Sequence, residues 1–143
     1  MKSPIFTLLI SLSCIVTGHS QSDSSCCKID GSAGNSITNL GNEYKRVKEF
    51  KGNPCCLNYE FLIGDLLELT ISKLKMETSK EELIQILGKP DFTSDVNNPI
   101  KNPFGKLEEN ESMLIYYFRS RHDYYYLLLN KDILVDKGRY IEK

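Results

Sequence analysis

The sequence contains no tryptophan, and only two of its 143 residues are histidine. Histidine is the side chain whose ordinary pKa lies nearest neutrality, and it is the commonest acid, base and metal ligand. Its scarcity narrows those options. The glycine-rich phosphate loop, the HExxH zinc helix and the GxSxG nucleophile turn are all missing. Neither sign of charge dominates, with 18 Lys and Arg against 19 Asp and Glu. Such a balance gives no long-range attraction to nucleic acid or anionic lipid. One apolar run stands out, at the N-terminus, and after it none is long enough to span a bilayer.

That run, Ile5 to Val16, follows Lys2 and ends before Gly18-His19-Ser20. Roughly a dozen apolar residues suit the core of a secretory signal peptide and fall short of a membrane span. Gly18 and Ser20 are small residues placed for cleavage ahead of Gln21. Residues 1–20 are therefore expected to be a signal peptide, and the mature chain to be periplasmic or secreted. Cys14 raises a rival, lipid anchoring. A lipobox needs a large aliphatic residue three places earlier, where this chain has Ser11, so Cys14 is read as part of the apolar core. Without Lys2, 17 basic residues face 19 acidic ones.

Four cysteines remain, as adjacent pairs: Cys26-Cys27 and Cys55-Cys56. An even count in an oxidising compartment points to disulfides. A trans peptide holds neighbouring cysteine side chains apart, so the expected arrangement joins one pair to the other, with the connectivity open. A four-cysteine zinc site is the sharper alternative. Zinc half-sites usually separate their ligands by two to four residues, which adjacent cysteines do not. No cofactor or metal is assigned.

Residues 21–42 are rich in Ser, Gly, Asn and Asp and read as a polar tail. Tyr44, Val47 and Phe50, spaced by three, suggest one or two helical turns within 43–51. Gly52-Asn53-Pro54 then breaks the chain, so residues 21–53 are taken as a tethered N-terminal segment and 54–143 as a single domain. From Tyr59 to Leu74 the apolar residues follow a helical stripe, although Leu67, Leu69 and Ile71 also alternate as a strand would. Ser79 and Glu82 form a capping box ahead of Leu83, Ile84, Ile86 and Leu87, and Gly88 and Pro90 end that helix. A polar loop covers 91–111. It is long for a compact domain, and so is either mobile or used. Strand signals follow at Ser112 to Phe118, Tyr124 to Leu129 and Ile133 to Val135, separated by short polar turns. The expected fold is α+β: two helices on a three-stranded antiparallel meander, with a disulfide-tethered N-terminal segment.

Catalytic candidates are sparse. His122 lies beside Asp123 in a polar turn and reads as solvated, and Glu108, Glu109 and Glu111 have nothing apolar nearby to shift their acidity. The aromatic strands are richer. Tyr116, Tyr117, Tyr124, Tyr125 and Tyr126, with Arg119 and Arg121 between them, leave both sheet faces apolar, while two helices cover only one. The second face is expected either to lie under the N-terminal segment or to be partly exposed as a protein-partner surface.

The stretch Leu74 to Asp91 resembles the signature of SmpA/OmlA small envelope proteins, the BamE-like domain: an aliphatic residue, a Thr/Ser-led short helix, then Leu87-Gly88-Lys89-Pro90. Glu77-Thr78 stands where that signature has Gly-Met. The strand with Tyr116 resembles the family's tyrosine-bearing strand, and the likeness covers residues 59–143. It implies two helices on a three-stranded sheet, an architecture shared with β-lactamase-inhibitor proteins. It also implies non-enzymatic, protein-binding adaptor work in a cell envelope. The alternatives are a thiol–disulfide redox protein using a cysteine pair, and an inhibitor or immunity protein that binds a secreted partner.

Overall fold

The structure is a computed structural model and describes residue 34, residues 36–51 and residues 59–142, with the Ser120 side chain left out. The expected signal peptide, Cys14 and both cysteine pairs lie outside the described residues. Within them, three helices stand against a four-stranded antiparallel sheet.

Ser36 opens α1 (Ile37–Lys48) by accepting a hydrogen bond from the Asn39 amide at 3.2 Å, so the polar stretch read as a tail up to residue 42 carries the first half of a helix. Leu40, Tyr44 and Val47 lie on one face of α1 and are buried. Helix α2 (Tyr59–Lys73) buries Ile63, Leu66, Leu67, Thr70 and Ile71, which decides the stretch around Leu69 for helix over strand. Helix α3 (Lys80–Leu87) begins at Ser79, whose side chain accepts from the Glu82 amide at 3.3 Å, and ends at Gly88, whose φ of 76° suits glycine. The Lys45 ammonium of α1 donates to the Gln85 carbonyl at 2.9 Å near the end of α3.

The sheet runs in sequence order: β1 (Phe92–Ser94), β2 (Glu111–Ser120), β3 (Asp123–Asn130) and β4 (Ile133–Ile141). The strand count thus exceeds the three expected. The extra strand, β1, has three residues, too few for a period of two to declare itself. Strand β4 also runs well past Val135, through a charged stretch in which Lys137 turns toward α2. The Lys137 ammonium donates to the carbonyls of Ile71 (2.7 Å), Ser72 (3.1 Å) and Leu74 (2.5 Å), capping the end of that helix. Residues 77–80 pair with the start of β4 through Glu77 to Leu134, Leu134 to Thr78 and Lys80 to Asp132.

Alternation divides the sheet between two cores. Leu114, Tyr116, Phe118, Tyr125, Leu127, Leu129 and Leu134 face the helices. Met113, Ile115, Tyr124, Tyr126 and Leu128 face the other way, with Leu107 completing their cluster and Phe92, Ile100, Tyr117 and Tyr140 packed against it. The long loop between β1 and β2 is therefore the cover of the second face: it supplies Ile100 and Leu107, and Phe104 sets its ring edge-on to Tyr126 at 5.2 Å. Its turns are fixed locally. The Asp95 carboxylate accepts from the Asn97 and Asn98 amides at 2.8 Å each, and the Ser94 hydroxyl from the Ile100 amide at 3.0 Å.

Candidate functional site

The five tyrosines singled out in the strands do not form one surface. Tyr116 and Tyr125 are buried on the helix side, and Tyr124 and Tyr126 are buried under the loop. Tyr117 is half-buried and is the one of the five that keeps a substantial open edge. The rings are covered because three helices, not two, lie on one face and the β1–β2 loop lies on the other. Their hydroxyls reach outward to partners: Tyr116 donates to the Gly88 carbonyl at 3.0 Å, Tyr124 to the Lys101 carbonyl at 2.5 Å, and Tyr125 to the Glu68 carboxylate at 3.2 Å.

A cleft of about 500 Å³ opens where the loop meets the end of the β2–β3 hairpin. Tyr117, Tyr124 and Tyr140, on three adjacent strands, form its aromatic side. The Tyr117 and Tyr124 rings meet edge-on at 6.0 Å and 89°, and Tyr124 and Tyr140 lie 5.1 Å apart at 36°. Phe92, Pro99 and Ile100 form the opposite wall, and Asp91, Lys101, Arg121, His122 and Glu142 ring the mouth.

Most of that charge is spent internally. One Glu142 carboxylate oxygen takes the Lys101 ammonium and the other takes His122 Nδ1. The bond from Lys101 first, and that from His122 second, hold the Glu142 carboxyl below its usual acidity range, while Glu142 raises Lys101. Asp91 accepts from the Tyr117 amide at 2.9 Å and pairs with Lys48 at 2.9 Å. His122 thus pairs with Glu142 and not with its neighbour Asp123, which receives two bonds from Arg139 at 3.1 and 3.0 Å. Burial pushes the Tyr124 hydroxyl well above the ordinary tyrosine value. It raises Tyr117 too, against a smaller opposing pull from Arg121. Arg121 is exposed at the mouth and has no carboxylate partner among the described residues.

The sequence pointed to Tyr117, Tyr124 and Arg121. It gave no sign of Lys101, Tyr140 or Glu142, because the Lys101–Glu142 contact joins residues 41 apart. Among the described residues no three His, Cys, Asp or Glu side chains gather as metal ligands, and no helix is long and apolar enough to cross a membrane. The geometry is that of a shaped aromatic cavity with a cation at its lip.

The fold and cleft together define a class, an α+β domain whose sheet is covered on one face by helices and on the other by a long loop that opens at one end. Compared with family models, with curated proteins and with solved structures, the chain finds no match in any of the three.

Proposed function

We propose that the mature chain is an exported, non-enzymatic protein-binding domain that grips a partner at the hairpin-end cleft, in the manner of the SmpA/OmlA envelope proteins its second half resembles. The observation that carries this reading is the pairing pattern at the cleft. Lys101 and His122 are both engaged with Glu142 at the wall, while Arg121, which lines the same cleft as Tyr117, has no carboxylate partner among the described residues. Aromatic rings with an arginine are the side chains that most often anchor protein interfaces. Signal-peptide cleavage before Gln21 and disulfides between the two cysteine pairs belong to the same proposal.

The test is affinity purification of mature protein from its native envelope, comparing wild type with Arg121→Glu and Tyr117→Ala by quantitative mass spectrometry. The proposal expects a partner that co-purifies with wild type and is depleted with both variants. Equal recovery with all three would place the interaction elsewhere.

A further inference from the structure

The opposite side of the same hairpin carries a second arginine in a different setting. Tyr117 pairs with Tyr124 and Ser120 with Asp123, so Phe118 and Arg119 have no cross-strand partner. Extra residues in one strand bend it and re-aim their side chains. Here Phe118 enters the helix-side core, and the Arg119 guanidinium lies 5.3 Å from the Phe61 ring centroid and 5.7 Å from that of Phe118. Phe61 comes from the first turn of α2 and is 64% exposed, the most open large apolar side chain among the described residues.

The molecule contains a completed version of the same arrangement next door. Arg139 lies 4.5 Å from the centroid of Phe118 and 5.9 Å from that of Tyr125, and its planar fork donates to both oxygens of Asp123, at 3.1 and 3.0 Å. Arg119 has the aromatic half of this arrangement and lacks the carboxylate half: among the described residues no acid pairs with it. The residues 52–58 that precede α2 contain no Asp or Glu to supply one. A guanidinium held against rings has lost part of its rotamer freedom already, so it gives up less on accepting a carboxylate through two parallel bonds.

We propose that Arg119 and Phe61 form a second recognition site for an acidic protein segment. An Asp or Glu side chain takes the Arg119 fork, and a neighbouring apolar residue rests on Phe61. This site faces away from the hairpin-end cleft and does not depend on the reading of that cleft.

The probe is a blocked peptide alternating glutamate and leucine, titrated into the mature protein and followed by NMR at the Arg119 Nε–H resonance and the Phe61 ring. A matched glutamine–leucine peptide serves as the control. The expected result is a saturable shift with the glutamate peptide alone. Affinity should fall about tenfold or more with Arg119→Gln. Arg119→Lys, which keeps the charge and loses the fork, should weaken binding as well, and Lys131→Gln should change nothing. Three results would overturn the proposal: equal binding of both peptides, undiminished binding by Arg119→Gln with loss on Arg121→Gln instead, or no saturable shift. An Arg119 Nε–H resonance that moves in the free protein on Asp23→Asn or Asp30→Asn would also overturn it, because the chain would then be supplying its own acid.

Discussion

At the scale of single residues, the buried tyrosines make the fold sensitive to alkaline pH. Burial first, and the Glu68 carboxylate second, push Tyr125 up to about 12, and burial raises Tyr44, Tyr116 and Tyr124 as well. A raised folded-state value means that the folded chain holds the proton more tightly than the unfolded one. The stability this represents is complete below the unfolded value of 10.0 and is lost as pH climbs through the folded value. Absorbance titration at the phenolate band should therefore show native tyrosines lagging those of the urea-unfolded chain, with urea midpoints falling between pH 10 and 12. Native titration that superimposes on the unfolded curve would contradict the burial described. Glu142 behaves with the opposite sign. Its folded value is depressed, so its bonds to Lys101 and His122 are complete above the unfolded value of 4.5 and are lost as pH falls through the folded one. Glu142→Gln should speed hydrogen exchange of the loop around Ile100 at neutral pH. The two proteins should converge in acid, since protonated Glu142 then resembles the amide. Identical exchange at neutral pH would show that the loop is held without Glu142.

At the scale of elements, α3 separates capping from packing. The Ser79 side chain accepts one first-turn amide, while Leu87 is 1% exposed at the other end of the helix. Ser79→Ala should cost about 1 kcal/mol. Leu87→Ala should cost roughly 2–5 kcal/mol through lost burial and the cavity left behind. Denaturant melts in the reverse order would show that α3 turns a different face to the core. Helix α3 was legible in the sequence because its cap, apolar face, Gly88 and Pro90 are all local signals. The first half of α1 was hidden for a physical reason. Gly41 makes its surroundings look like a linker, yet a Cβ there would lie 2.4 Å from the Ile86 carbonyl oxygen, so glycine is what lets α1 approach the end of α3. The loop's use as a cover was likewise unreadable, because Ile100, Phe104 and Leu107 are isolated apolar residues in a polar run. The cleft shares this difficulty: its aromatic side lies on strands the sequence announced, and its ionic rim joins positions brought together only by the fold.

At the scale of the whole molecule, the described helices and sheet share two clusters of buried apolar side chains, one on each face of the sheet. If disulfides join Cys26-Cys27 to Cys55-Cys56, as proposed, reduction should free the residues ahead of α1 and leave α1, the other helices and the sheet folded, because α1 is held by its own buried face. Peptide mapping of the unreduced protein should then find cross-linked pairs. Four free thiols, or stoichiometric zinc, would revive the redox or metal alternatives.

The proposed function makes the hairpin-end cleft the place where this domain meets another protein. A photo-crosslinking residue at position 117 probes the cleft directly, and one at the exposed position 81 on α3 is the control. In cells that make the protein, the account predicts a discrete protein adduct from position 117 that disappears on Arg121→Glu, with none of that adduct from position 81. Adducts from position 81 with none from 117, or a 117 adduct indifferent to Arg121, would contradict it.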